Sequence, residues 1–333
     1  MVWSKFTVDY IHMFNKCKYN LNTNNILLNN MRTELDMINI FISSNKIKFK
    51  ITEKLFSNKI GDYLESKFVH KSSVINNLYK IPDEYLIEWD NNKIYIKTTE
   101  TFFKHFIKRI NTLILLLEYL RTKNNNIDKK IEIYLILTDL VKILPNKKTD
   151  TLSAEYVNSG YTDSNIIFIW RHEEFEKVIF HEIIHYFDLD CDNSFQINID
   201  IMKKNNDTEY YSESITDFYG ICYHLMYISI VSKIEIKELL ELELGFIKNQ
   251  AQLLNNLYKL NNWNYKNKII INHKTSAFSY YIIKYLLFEY MLIHDYYLLN
   301  NPNKILNDIL KIGFRVNKFI NINSLRMTFL QLH

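Results

Sequence analysis

His181-Glu182-Ile183-Ile184-His185 is the stretch whose reading decides the rest. On a helix, residues four apart stand one turn above each other. Both imidazoles can then be directed at one metal ion, with the Glu182 carboxylate beside it. The flanking residues say that the stretch is helical. Asn165-Ile166-Ile167-Phe168-Ile169-Trp170 is a short apolar run of the buried-strand kind. Arg171-His172-Glu173-Glu174 then opens a helix, with acidic residues where the free N–H groups of a first turn favour them. Phe175, Val178, Ile179, Ile183 and Tyr186 continue at helical spacing, so the pentapeptide falls within an amphipathic helix.

Zinc catalysis needs neutral imidazole ligands, one position left open, and a carboxylate outside the ligand set to accept a proton. The pentapeptide offers all of this but a third ligand. Glu213-Ser214-Ile215-Thr216-Asp217 lies in a second helical segment, 28 positions beyond His185 (213 − 185), which leaves room for a crossover and a return. Asp217, one turn after Glu213, is placed to accept the free N–H of a ligating histidine and so to fix its tautomer. Asp217 is the rival of Glu213 as third ligand, and spacing favours Glu213.

An HExxH helix followed by a helix carrying Glu and, four residues on, Asp resembles the gluzincin metallopeptidases. That resemblance covers roughly residues 131–220, and Ser212 stands where the family usually has Asn. It implies one zinc ion per chain held by His181, His185 and Glu213, with Glu182 as general base and Asp217 behind the ligands. It also implies an oxyanion-stabilising Tyr or His from the C-terminal half, for which His273, Tyr280 and Tyr281 are the candidates. The fold it implies is α+β and zincin-like. A small mixed sheet with a backing helix and the active-site helix forms the upper lobe, above an all-helical lower lobe. Residues 157–162, 170–174 and 189–190 around the motif also resemble predicted metallopeptidases of large DNA viruses. The expected function is hydrolysis of a peptide or protein substrate. The alternative is a catalytically inactive zincin-like structural or interaction protein, such as a virion component.

The remainder of the chain is read around this centre. Three segments are expected: a helical subdomain or pro-segment over 1–80, the upper lobe over 81–190, and the helical lower lobe over 191–333. In the first, Ile26, Leu27, Met31, Leu35, Ile38 and Phe41 form one apolar stripe. Residues 85–89 and 93–97 alternate as strands about the turn Asp90-Asn91-Asn92, a long helix follows over 101–122, and 131–138 is β-like. Residues 154–157 and 165–170 are expected as the last two strands before the motif, the first of them a sheet edge able to align an extended substrate. Helices are expected over 223–231, 237–258, 275–299 and 303–312.

Composition excludes some classes. A chain of 333 residues, 47% of them hydrophobic, buries a substantial core. The net charge of +4 is dispersed, with no basic stripe interleaved with aromatics, so no nucleic-acid surface is expected. No secretory signal or membrane span is legible, and Cys17, Cys191 and Cys222 make no disulfide framework. The expected location is the cytoplasm, or a virion packaged from it. Asp188, Asp190 and Asp192 alternate after the motif but lack the glycine and glutamate of a calcium loop, so they read as solvated carboxylates, one of them capping the helix. His224 reads as a core histidine with its hydrogen bonds satisfied.

Overall fold

A computed structural model describes residues 3–14, 19–56, 60–145, 152–190, 202–203, 212–258, 270–271, 275–294, 305, 308–309, 322 and 324–332. The helices are α1 (Lys5–Phe14), α2 (Ile26–Ser44), α3 (Lys71–Leu78), α4 (Glu100–Lys123), α5 (Ala154–Val157), α6 (Phe175–Tyr186), α7 (Ser212–Ser232), α8 (Ile236–Tyr258) and α9 (Lys284–Ile293). The strands are β1 (Lys50–Glu53), β2 (Asp83–Trp89), β3 (Asn92–Thr98), β4 (Glu132–Thr138), β5 (Gly160–Thr162), β6 (Ile167–Arg171), β7 (Met202–Lys203) and β8 (Ile270–Ile271).

The fold is mixed, and its centre is a six-stranded sheet in the order β1-β2-β3-β4-β6-β5. The expected hairpin is β2–β3, turning at Asp90, which takes the left-handed conformation (φ 46°). From β3 the chain crosses along α4 into β4, parallel to β3; β6 is parallel to β4, and β5 runs antiparallel at the edge. Strand side chains are apolar on both faces because both faces are covered. Ile94, Ile96, Ile133, Leu135, Ile167 and Ile169 join the core that holds α4 and α6. Tyr95, Tyr134, Phe168 and Trp170 face a second core closed by Phe56, Ile60, Leu64, Val74 and Leu78.

Residues 1–80 thus supply one strand and the cover of a sheet face. Their helix α2, capped by Asn25 Oδ1 accepting from Leu28 N at 3.2 Å, packs against α4, α7, α8 and α9. The expected stripe is the buried one, with Leu27, Met31 and Ile38 inside.

Two expectations about local structure are corrected. Residues 154–157 are the short helix α5, not a strand, and the edge strand begins at Gly160. The buried guanidinium of Arg171 gathers the carbonyls of Glu155 and Asn158 (3.0 Å to the latter), which supports a helical turn and its end. The helix of the motif starts at Phe175, not at Arg171. Arg171 ends β6, and Glu174 takes a left-handed conformation (φ 62°) that costs a non-glycine residue about 1–2 kcal/mol. Tertiary contacts impose it: Glu174 pairs with Lys142 at 3.0 Å and accepts from the backbone of Met327 and of Thr328, the latter at 2.7 Å. These carboxylates are buried in the interior instead of capping a helix from solvent.

The C-terminal half, expected to be all helical, is mostly so where it is described, with two departures: β7 and β8 pair in parallel as a second, two-stranded sheet, and the chain near its end is not helical. Residues 324–332 form a buried, non-helical segment; Ser4 N donates to Gln331 O and Thr7 Oγ1 to Phe329 O. Most of the helix expected over 303–312 lies outside the described residues, as do Cys17 and Cys191. Among the described residues no helix is long and apolar enough to cross a membrane.

Candidate metal centre

Helix α6 leaves β6 and runs beneath the edge strand with nearly every side chain buried. It ends in a turn that matters for the site. Asp188 takes the left-handed conformation (φ 55°), Asp188 N donates to His185 O and Leu189 N to Ile184 O, closing the helix as a Schellman motif and sending the chain back over His185. Helix α7 packs against α6 face to face. Glu213, Asp217 and Gly220 share one side of it at i, i+4 and i+7. A Cβ at Gly220 would lie 3.1 Å from His181 Cα and N, so this glycine permits the two helices to approach as closely as they do.

Three ligand-type side chains converge. His181 Nε2 and His185 Nε2 lie 3.4 and 3.3 Å from Glu213 Oε2, and one donor atom from each of the three residues lies within 4.8 Å of the others. Ligands placed tetrahedrally at roughly 2.05 Å from a zinc ion are separated by about 3.3–3.4 Å. The donor set therefore fits a divalent ion in chemistry, and each histidine stands at tetrahedral spacing from Glu213.

Carboxylates orient both imidazoles from behind. His181 Nδ1 is 3.0 Å from Asp217 Oδ1, and His185 Nδ1 is 2.5 Å from Asp190 Oδ2. An ionised carboxylate only accepts, so each Nδ1 carries its proton and each Nε2 can present a lone pair to a cation. Asp217 stands beside the Nδ1 of His181, on the side away from Glu213. Asp190 is a half-buried partner of His185, held also by Thr216 Oγ1 at 2.7 Å, and not the solvated carboxylate expected. Its sequence signal is an acidic residue five positions after a ligand histidine, which has meaning only once the Schellman turn is known.

Two further groups were not legible. Lys177, one turn before His181, and Lys284, at the start of α9, are both buried and both pair with Asp217, the second at 2.6 Å. Burial pushes both lysines down, Lys284 to about 8.

The carboxylate of Glu182 faces the edge strand. It accepts from Thr162 Oγ1 at 2.9 Å, and a Cβ at Gly160 would lie 3.0 Å from its Oε1. Burial raises its pKa to about 7. Burial likewise lowers His181 to about 3. For His185 burial acts downward too, but the carboxylates of Glu213 and Asp190 outweigh it, so this imidazole is held well above its ordinary value. Glu213 is held far below the ordinary range, because the two histidines outweigh the opposing effect of burial.

Among the oxyanion candidates, the hydroxyl of Tyr280 donates to Glu213 Oε2 at 3.0 Å, and its ring lies 5.7 Å from that of His181. It sits in a π-helical turn (Ser279–Ile283) leading into α9, a distortion frequent at functional sites. Tyr281 is not at the centre: it is buried and its hydroxyl donates to Leu325 O at 2.5 Å. His273 lies outside the described residues. His224 is in the core as expected, but neither ring nitrogen has a hydrogen-bond partner among the described residues, and burial lowers its pKa to about 3.

No family model, curated protein or solved structure matches the chain. The residues themselves carry the functional argument. His181, Glu182, His185, Glu213 and Tyr280 line a cleft of about 840 Å³ together with the residues of β5, Lys67 and Phe68.

Proposed function

We propose that the chain is a zinc-dependent peptidase of zincin-like, gluzincin type. The observation that carries this reading is the convergence of one donor atom each from His181, His185 and Glu213 to within 4.8 Å, beside a buried carboxylate, Glu182, that is not one of the three. A purely structural metal site is closed by four ligands and needs no neighbouring base. The order of edge strand, histidine helix and glutamate helix supports the zincin-like reading of the fold.

When bound, a divalent cation supplies Lewis-acid polarisation of the scissile carbonyl and of the attacking water. Glu182 accepts the water's proton and passes it to the leaving amine, a task suited to a carboxyl poised near neutrality. Thr162 holds that carboxylate at the edge of the cleft. Tyr280 exchanges its bond to Glu213 for one to the developing oxyanion. Asp217 and Asp190 keep both imidazoles in the ligating tautomer. Strand β5, with no strand beyond it among the described residues, aligns an extended peptide through its outward backbone groups.

The test is turnover of a peptide library by zinc-loaded protein and by Glu182→Gln. Cleavage by the wild type, lost in the variant with zinc retained, supports the assignment. A wild type that binds zinc but cleaves nothing favours the inactive, structural alternative.

A further inference from the structure

The cleft is lined also by an exposed phenyl ring that neither the core nor the metal centre requires. Phe68 lies between the short 3-10 turn Gly61–Glu65 and α3. Leu64 and Val69 on either side of it are buried in the outer core, whereas Phe68 is 43% exposed and lines the cleft. Its position is fixed from the sheet. Asn158 Nδ2 donates to Phe68 O at 3.4 Å, Tyr161 OH donates to Tyr63 O at 2.8 Å, and the rings of Phe68 and Tyr161 stack with centroids 6.3 Å apart.

The backbone of β5 says what passes in front of this ring. Ser159 O accepts from Trp170 N, Tyr161 lies opposite Phe168, and Asp163 and Ile166 exchange both backbone bonds. Residues 159, 161 and 163 therefore face β6, and by the antiparallel alternation the N–H and C=O groups of Gly160 and Thr162 point away from the sheet. An extended peptide paired with those groups presents its side chains alternately to the two faces. One set faces Glu182 and α6, as Gly160 and Thr162 do. The other faces the side of Tyr161, where Phe68 stands.

We propose that Phe68, backed by Tyr161, is a subsite for an apolar or aromatic side chain of an extended peptide substrate paired with β5. The proposal rests on the peptidase reading of the metal centre. Contact with such a side chain removes the phenyl ring from water, whereas Lys67 Nζ, 5.1 Å from the ring centroid, repels a basic one. The choice of substrate then depends on a residue far from the histidine motif in sequence.

Cleavage-site profiles of zinc-loaded wild type and Phe68→Ala on a library of denatured-proteome peptides test this. The expected wild-type profile has an apolar preference at one position, with basic residues depleted there. Phe68→Ala loses that preference, with kcat/KM for the preferred peptides down about tenfold through KM, while Phe68→Leu keeps it. Zinc affinity, kcat and the preferences at adjacent positions stay at wild-type values. A wild type that cleaves, with a Phe68→Ala profile identical at every position, overturns the subsite and leaves the peptidase reading standing. A folded, zinc-loaded wild type that cleaves nothing overturns both.

Discussion

Gly220→Ala separates the geometry of the metal centre from the stability of the fold. The added Cβ would lie 3.1 Å from His181 Cα and N and 3.4 Å from its Cβ. Carbon atoms in contact prefer about 3.5–4.0 Å, so α7 must retreat from α6 by roughly 0.4–0.9 Å. No rotamer relieves this, because the nearest atoms are backbone. Glu213 and Asp217 ride on the same face of α7 and move with it, whereas metal sites tolerate about 0.2 Å in ligand distance. A displacement of that size should lower zinc affinity about 10–100-fold, the range seen when ligand orientation is disturbed. Overpacking costs about 1–3 kcal/mol, but replacing glycine by alanine in a helix returns about 1 kcal/mol. The metal-free fold therefore loses only about 0–2 kcal/mol. Zinc affinity by competition with a chromophoric chelator, beside calorimetry of the metal-free protein, measures both. Wild-type zinc affinity in Gly220→Ala would refute the close helix approach as the device that sets the ligand spacing.

Other consequences follow from the same contacts. In Gly160→Ala the new methyl would lie 2.7 Å from Val178 Cγ1 and 3.0 Å from Glu182 Oε1, so Glu182 is displaced; kcat should fall about 100-fold while zinc is retained, read by steady-state kinetics beside metal analysis. Lys284→Met leaves Asp217 with one lysine partner in place of two and should destabilise the protein by about 3–5 kcal/mol. Chemical denaturation checks this, and adding Asp217→Asn should deepen the loss, because it leaves the buried Lys177 without its carboxylate. Burial raises Glu182 from the ordinary carboxyl value to about 7, so its protonated form contributes stability that is complete below about pH 4.5 and lost as pH rises through 7. In thermal melts of metal-free protein, Glu182→Gln should therefore gain on the wild type above pH 7 and match it near pH 4.

How much of this was legible follows from what periodicity encodes. His181, His185, Glu213 and Asp217 repeat at helical intervals, so spacing alone brings them to common helix faces. Asp190 depends on a chain reversal set by the left-handed Asp188, which no period announces. Lys177 reads as part of a polar helix face and Lys284 as an interruption in an apolar run, because sequence does not show that a buried carboxylate waits for each. Tyr280 and Tyr281 point about 100° apart on a helix, and only packing shows which of the two faces the cleft. Residues 154–157 carry too short a pattern to separate strand from helix, and the carbonyl contacts of Arg171 decide it.

The central claim is that this chain is built to hold one catalytic zinc ion. Titrating metal-free wild type and Glu213→Ala with zinc at neutral pH, with bound metal counted per chain, tests it most directly. The account predicts one tightly bound zinc per wild-type chain and loss of tight binding in Glu213→Ala. A wild type that stays folded and takes up no zinc would contradict it.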